Sequence, residues 1–169
     1  RLFKNKKPVI AAVQGGAIGG GLGLSLVADF RIGCPESRFS ANFSRLGFHQ
    51  GFGTTVTLPR VVGPQNAAMM MLTGRRLKGQ EAFDVGLIDY LVPLNEVRSK
   101  AIELAEEISE SGPLAVQSIR ATIRAGLAEQ VEEIVSWELS EQVRLQSTKD
   151  FKEGIKASLE RRKPKFEGS

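Results

Sequence analysis

A nine-residue stretch with six glycines most constrains what this chain can fold into. Residues 15–23 (GGAIGGGLG) follow the apolar run 8–13 (PVIAAV) and precede a helix-like run at 24–28 (LSLVA). The pattern predicts a strand, a turn without side chains and the start of a helix. Because glycine has no Cβ, a ligand can approach the backbone there, and the first amides of a helix have no internal acceptor. We therefore expect a site that donates hydrogen bonds to an oxygen carrying negative charge, as an oxyanion hole does.

Other glycine-rich motifs fit these residues less well. A Rossmann fingerprint read from Gly19 needs a glycine where Leu24 stands, and a P-loop needs Gly-Lys-Ser/Thr where the chain has Gly-Leu-Gly. A serine-hydrolase elbow begins correctly at Gly23, but Val27 replaces its closing glycine, and the only histidine of the sequence is His49. The nucleotide-binding and serine-hydrolase interpretations are therefore the weaker ones.

The composition predicts one soluble globular unit. The 169 residues, of which 41% are hydrophobic, suffice for one ordinary core. No apolar run approaches the length of a membrane span, and the basic residues 1–7 are not followed by the apolar stretch of a secretory signal, so we expect no membrane association and a cytoplasmic location. The lone Cys34 cannot form an intrachain disulfide, and one cysteine with one histidine cannot make a tetrahedral zinc site, so no metal is expected.

The net charge of +4 is placed unevenly along the chain. Both ends are cationic, whereas the stretch from Glu96 to Glu141 is acidic. Such a distribution can attract nucleic acid, but only 7% of the residues are aromatic and no nucleic-acid-binding module is recognisable. We expect no nucleic-acid partner.

Alternating strand and helix signals predict an α/β fold. Strands are expected at residues 8–13, 30–34, 38–41 and 87–92, and helices at 24–28, 64–73 and 78–86, followed by four amphipathic helices after residue 96. In the third of these four, an apolar stripe lies opposite glutamates. The stripe comprises Val131, Ile134, Val135, Leu139 and Val143, and the glutamates are Glu132, Glu133 and Glu141. Such a stripe must be buried, either against the sheet or against a neighbouring subunit.

Several segments together resemble the crotonase, or enoyl-CoA hydratase/isomerase, superfamily nearly from end to end. They are residues 7–15 (KPVIAAVQG), 17–21 (AIGGG), 28–29 (AD), 72–74 (LTG) and 82–88 (AFDVGLI). The resemblance implies a crotonase-like spiral of ββα turns in residues 1–112 and a helical C-terminal oligomerisation region in 113–169, assembling into trimers or hexamers. It also implies that roughly the first third of the family's fold is absent from the chain.

The resemblance further implies an acyl-CoA thioester as partner, with coenzyme A as part of the substrate and no permanently bound cofactor. The middle glycine of the triple, Gly20, stands where the family has one of its oxyanion-hole amides. Its neighbours Gly19 and Gly21 stand where the backbone is expected to contact the cofactor. The second amide of the family lies upstream of the Lys-Pro strand. Arg161 stands where the family has a lysine that contacts the coenzyme A of an adjacent subunit.

The family's acid and base positions carry no ionisable side chain in this sequence. Two glutamate positions fall on Gly23 and Phe43, and an aspartate position falls on Gly51. Because hydration needs both a base and an acid, efficient hydratase activity is not expected. His49 lies in the same loop, and because an imidazole can both give and take a proton, it is a candidate acid or base, or else a residue that supports the loop. Two functions remain open: an acyl-CoA enzyme with nonstandard proton-transfer groups, and a catalytically degenerate acyl-CoA-binding protein.

Overall fold

The N-terminal part of the chain winds through two turns of a strand, strand, helix repeat. The computed structural model describes residues 2–169; Arg1, the first residue of the predicted spiral domain, lies outside the described residues. The strands are β1 Ile10–Val13, β2 Gly16–Ile18, β3 Phe30–Gly33, β4 Arg38–Ser40, β5 Arg76–Lys78 and β6 Tyr90–Leu91. The helices are α1 Gly20–Ser25, α2 Thr54–Thr73, α3 Gly79–Asp84, α4 Val97–Ser109, α5 Pro113–Ile123, α6 Leu127–Gln146 and α7 Lys149–Leu159.

Strand pairing shows how the turns stack. Strand β1 pairs in parallel with β3, with Ile10 opposite Phe30, and β2 pairs in parallel with β4, with Ala17 opposite Phe39. Each strand therefore meets its counterpart from the next turn, as parallel pairing across a long connection requires. Strand β6 joins β3 in parallel and β5 joins β4 in antiparallel orientation, which gives two three-stranded sheets. The predicted α/β spiral of ββα turns is confirmed.

The largest difference from the predicted elements is in the glycine-rich turn. Residues 16–18 form strand β2, although we expected them to lie in the turn. Pairing with β4 overrides the low strand propensity of glycine, and the Arg38 N–H donates to the Gly15 carbonyl at 3.0 Å just before the ladder begins. Helix α1 starts at Gly20, four residues earlier than predicted, and ends at Ser25. The strand predicted at 87–92 shortens to Tyr90–Leu91.

Helix α2 is broken at the place where the sequence predicts a helix start. Gly63 has φ 75° and ψ 161°, which is not helical, and Pro64 has no N–H to donate. The segment after the break matches the predicted helix. The segment before it, from Thr54, is also helical, because its first turn is held by polar contacts that no sequence pattern displays.

The core of the spiral lies between the sheets, α1 and α2. The largest of its fully buried side chains are Phe39, Leu22, Leu58, Met70, Leu87 and Ile88. A smaller cluster around Ile32 and Val97 packs α4 against β1 and β3. The core therefore fixes α1, and with it the glycine-rich turn, on three sides.

Helix α6 buries less of its apolar stripe than the pattern predicts. Val131 is buried within the chain, but Leu139 and Val143 are 59% and 61% exposed. The buried residue of this part of the helix is Glu138, which is 1% exposed. In the described residues, no helix is long and apolar enough to cross a membrane.

Candidate active site

The candidate site is the turn that leads from β2 into α1. Gly19 has φ 54° and ψ −116°, a conformation that a residue with a Cβ rarely adopts, and its N–H donates to the Ser40 carbonyl at 2.8 Å. This bond ties the turn to the end of β4. The chain changes direction at Gly19, and Gly20 becomes the first helical residue.

The Gly20 N–H is free to bind a ligand. The first intrahelical bond of α1 runs from the Gly23 N–H to the Gly19 carbonyl at 3.1 Å, so Gly20 precedes the hydrogen-bonded part of the helix. Among residues 2–169, no acceptor for the Gly20 N–H is found in either the backbone or the side chains. Gly20 is half-buried and Gly21 is exposed, so the turn is not sealed. An acceptor for this N–H therefore has to come from outside the described residues.

The ring of Phe52 lies directly on this turn. A Cβ placed on Gly20 would come within 2.7 Å of Phe52 Cε2 and Cζ, and one placed on Gly23 within 2.5 Å of Phe52 Cβ. Since real Cβ atoms do not approach other heavy atoms so closely, only glycines at these positions leave room for the ring. The phenyl side chain is itself 61% exposed, so its outer face borders the open side of the turn.

The three positions that the resemblance assigns to acidic side chains are filled in different ways. At Gly23 the missing side chain is replaced by Phe52, and at Gly51 a Cβ would come within 2.6 Å of Gln142 Nε2. Phe43 is buried, and its ring stacks at a tilt against Phe48, with 6.3 Å between centroids. Aromatic rings therefore occupy two of these positions, and the amide of Gln142 occupies the third.

His49 is held by the opposite side of its loop. Its Nδ1 lies 2.9 Å from the Gln50 carbonyl, and because a carbonyl only accepts, Nδ1 carries the proton and Nε2 is left as the basic nitrogen. Gln142 Nε2 donates to the His49 carbonyl at 3.1 Å. The pKa of Glu141 is lowered mainly by a hydrogen bond from Arg144, with a smaller contribution from the charge of His49. These contacts link His49 to α6, and within the described residues none links it to Gly20.

Arg161 lies just after α7 with an unusual backbone conformation. Its φ is 54°, and its side chain is exposed. Over residues 2–169, no carboxylate lies within ion-pair distance of its guanidinium, whereas the next residue, Arg162, pairs with both Glu153 and Glu160 at 2.6 Å. The Arg161 guanidinium is therefore open to an external anion.

Sequence reasoning missed two residues of α6 that hold the loop carrying Phe52. Glu138 accepts hydrogen bonds from the N–H groups of Gly53 at 2.8 Å and Thr55 at 3.2 Å, and from the Thr55 hydroxyl at 2.6 Å. Gln142, one turn further along, donates to the carbonyls of His49 and Gln50. Glu138 stands in a glutamate-rich helix, so no sequence signal distinguishes it from its solvent-exposed neighbours.

Metal binding has no support in the geometry. Within residues 2–169, no three side chains of His, Cys, Asp or Glu lie close enough together to hold an ion. Of the three predicted cofactor contacts, Gly21 and Arg161 are exposed, whereas Gly19 is buried.

Comparison with known proteins gives one consistent result. The family model described as "Enoyl-CoA hydratase/isomerase" matches residues 1–169. A crotonyl-CoA hydratase of Syntrophomonas wolfei is 37% identical over 161 residues, covering 95% of this chain and 62% of that protein. A probable mitochondrial enoyl-CoA hydratase 2 of Arabidopsis thaliana is 35% identical, covering 96% and 54%. The chain therefore spans 62% of the length of the first relative and 54% of the length of the second.

A solved structure agrees with the sequence matches. An enoyl-CoA hydratase/isomerase from Pseudoalteromonas atlantica superposes with a TM-score of 0.89 at 28% identity, covering 98% of this chain and 67% of that one. The described spiral and its C-terminal helices thus correspond to about two thirds of that molecule.

Proposed function

Because this chain belongs to the enoyl-CoA hydratase/isomerase family, we propose that it acts on acyl-CoA thioesters, with the Gly20 N–H donating to the thioester oxygen. The observation that carries this proposal is the Gly20 amide at the first position of α1, which has no acceptor among the described residues. When the carbon next to the thioester gains electron density, charge builds on that oxygen. A fixed donor there is worth about 3 to 4 kcal/mol of transition-state stabilisation.

The proton-transfer step is proposed to use nonstandard groups. Gly23, Phe43 and Gly51 offer no carboxylate, so isomerisation or thioester hydrolysis fits this chain better than hydration. His49 is the candidate acid or base, since its Nε2 is the nitrogen left to accept a proton. If His49 has this role, His49→Gln should lower kcat at least about 100-fold.

Coenzyme A binding is proposed at both ends of the site. Gly19 and Gly21 flank the acyl oxygen, and the open Arg161 guanidinium suits a phosphate, which it can bind through two parallel hydrogen bonds. We propose that Arg161 reaches the coenzyme A of an adjacent subunit in a homotrimer or hexamer. Exposed apolar side chains on the C-terminal helices support residues 113–169 as the oligomerisation region. They include Leu114, Ile119, Ile123, Trp137, Leu139, Val143 and Leu159.

The test compares two substitutions at Gly20. The purified protein is given crotonyl-CoA, 3-enoyl-CoA and hydroxyacyl-CoA esters, and at least one should turn over. Gly20→Pro deletes the N–H at a helix position that tolerates proline and should lower kcat about 10²- to 10³-fold. Gly20→Ala is the matched control: it adds the same Cβ against Phe52 but keeps the N–H. If Gly20→Ala is active and Gly20→Pro is equally active, the Gly20 amide is removed from the mechanism.

A catalytically degenerate acyl-CoA-binding protein is the second candidate. The absence of carboxylates at Gly23, Phe43 and Gly51 favours it. In that case calorimetry should detect binding of acyl-CoA esters by a protein that converts none of the substrates above. Measurable turnover would exclude it.

A further inference from the structure

We propose that Phe52 determines which acyl groups this site accepts, and that Glu138 is the residue that positions it. The inference rests on the proposed function, since it concerns the acyl group of a thioester whose oxygen binds Gly20. It adds to that site the Phe52 side chain as a wall that limits which acyl groups fit, and it adds Glu138 of α6 as the residue that holds this wall in place.

The Phe52 ring runs along the first turn of α1. Its outer edge meets Gly20 and its Cβ meets Gly23, where added Cβ atoms would come within 2.7 Å and 2.5 Å of it. Three residues of helix rise by about 4.5 Å, so the ring extends from the donor amide by about the length of a three-carbon chain. An acyl group whose oxygen binds the Gly20 N–H therefore lies near the Cε2–Cζ end of the ring.

The ring is held there at a conformational cost. Phe52 has φ 61°, a region that non-glycine residues seldom adopt and that persists only where the surroundings enforce it. The next residue, Gly53, also has positive φ, at 67°. A loop free to relax would return Phe52 to an ordinary conformation and carry the ring away from α1.

Hydrogen bonds on both sides of Phe52 enforce this conformation. On the C-terminal side, the Glu138 carboxylate accepts from the Gly53 and Thr55 N–H groups. On the N-terminal side, Gln142 donates to the Gln50 carbonyl at 3.1 Å. Thr54 closes the turn, with its N–H and hydroxyl donating to the Gly51 carbonyl at 3.1 Å and 2.8 Å. Glu138 is 1% exposed, so its bonds are shielded from water.

This arrangement selects for apolar acyl groups. The outer face of the ring is apolar, and the family's three acid positions nearby are Gly23, Phe43 and Gly51, none of which offers a polar side chain. A polar atom placed against the ring gives up the water on that side and gains no hydrogen-bond partner from the ring. The proposed substrates are therefore thioesters in which the part of the acyl chain that contacts Phe52 contains no oxygen.

Two esters of equal length measure this selectivity without turnover. Butyryl-CoA and methoxyacetyl-CoA differ only in that a methylene at the third acyl carbon is replaced by an ether oxygen. Calorimetric dissociation constants should favour butyryl-CoA about four- to tenfold in the unsubstituted protein, the lower value being that of one buried methylene. In Phe52→Gly, which removes the ring and fits the positive φ, the preference should fall below twofold. Phe52→Leu keeps apolar bulk and should retain most of it.

Substitutions of Glu138 test the positioning role with the ring still present. Glu138→Ala removes all three accepted hydrogen bonds and should lower the preference as Phe52→Gly does, while Glu138→Gln keeps one acceptor oxygen and should restore part of it. Glu141→Ala, on the same helix but paired at the surface with Arg144, is the control and should leave the preference unchanged. Phe52 is exposed, so Phe52→Gly remains informative even if Glu138→Ala does not fold.

The outcomes separate this inference from the function on which it rests. Loss of the preference in Phe52→Gly, with retention in Phe52→Leu, supports the wall. Binding of both esters with an unchanged ratio in Phe52→Gly overturns it and leaves the proposed function standing. Failure of the unsubstituted protein to bind either ester overturns both. A normal ratio in folded Glu138→Ala overturns the positioning role.

Discussion

The spiral and the C-terminal helices are attached to the rest of the chain by different kinds of contact. The spiral closes around apolar side chains such as Leu22, Phe39 and Leu58, each with no measurable exposure. Residues 113–169 bury fewer apolar side chains, among them Leu127, Val131 and Ala157, and also contact the rest of the chain through charged groups. Arg120 and Arg124 of this region pair with Asp29 at 2.8 Å and 3.0 Å, and Glu138 binds the start of α2.

This difference has a functional consequence. A close-packed apolar core fixes the glycine-rich turn rigidly, because small displacements there lose many contacts at once. Polar anchors fix only particular backbone groups, and in this chain those groups border the candidate site. The core thus places the donor amide, and the C-terminal helices place what surrounds it.

The largest effect is expected at the Asp29 anchor. Asp29→Asn removes the charge that pairs with the buried Arg120 and the half-buried Arg124; partial burial already lowers the pKa of the Arg124 guanidinium, because desolvation disfavours its charged form. Removing one partner of a buried ion pair costs about 3 to 5 kcal/mol, so we expect Asp29→Asn to lower the free energy of unfolding by about 4 kcal/mol. Chemical denaturation measures it. The control Asp84→Asn, at an exposed aspartate, should change the free energy of unfolding by less than about 0.5 kcal/mol. Similar losses in both variants would contradict the anchoring role of Asp29.

The second comparison sets a core leucine against one on α6. Leu58→Ala should cost about 3 kcal/mol because it leaves a cavity in the spiral core. Leu139 is 59% exposed, so at low protein concentration Leu139→Ala should lower the free energy of unfolding by less than about 0.5 kcal/mol. If α6 faces a neighbouring subunit, Leu139→Ala should also weaken assembly, seen by sedimentation. A loss as large as that of Leu58→Ala in a monomeric sample would show that the two regions are not packed differently.

The smallest expected effect is acid sensitivity at the end of the chain. Hydrogen bonds from Arg162, and then from the Lys165 N–H, lower the pKa of Glu153 from 4.5 to about 2. Because the folded pKa is the lower one, the stabilisation is complete above pH 4.5 and is lost as pH falls through about 2. The Lys165 amide resonance should therefore shift across this window. It should not do so in Glu153→Gln, and a shift completed above pH 4.5 would contradict the pairing.

Much of the fold was predictable because its signals are local. The apolar run at residues 8–13, the break at Gly63 and Pro64, and the periodic helices after residue 96 each follow from backbone restrictions or from apolar spacing. Strand β2 was not predictable, since glycines at residues 15 and 16 signal a turn and only pairing with β4 makes the segment extended. Long-range pairing leaves no mark in the strand's own sequence.

The candidate site divides in the same way. Gly20 was predictable because a donor amide needs only backbone and an absent side chain. Phe52 and Glu138 were not, since an aromatic residue in a glycine-rich loop and a glutamate on a charged helix have no special pattern. Their roles come from a positive φ and from contacts 85 residues apart along the chain. The donor role of Gly20 stays a prediction, as do the roles of His49, Gly19, Gly21 and Arg161.

The carbonyl stretching frequency of a bound thioester tests the central claim most directly. Butyryl-CoA carrying ¹³C at its carbonyl is measured by isotope-edited infrared spectroscopy, free and bound to the protein. A hydrogen bond from the Gly20 N–H weakens the carbonyl double bond, so the bound frequency should fall below that in water in the unsubstituted protein and in Gly20→Ala, and return toward it in Gly20→Pro. The same frequency in all three bound proteins would contradict the account.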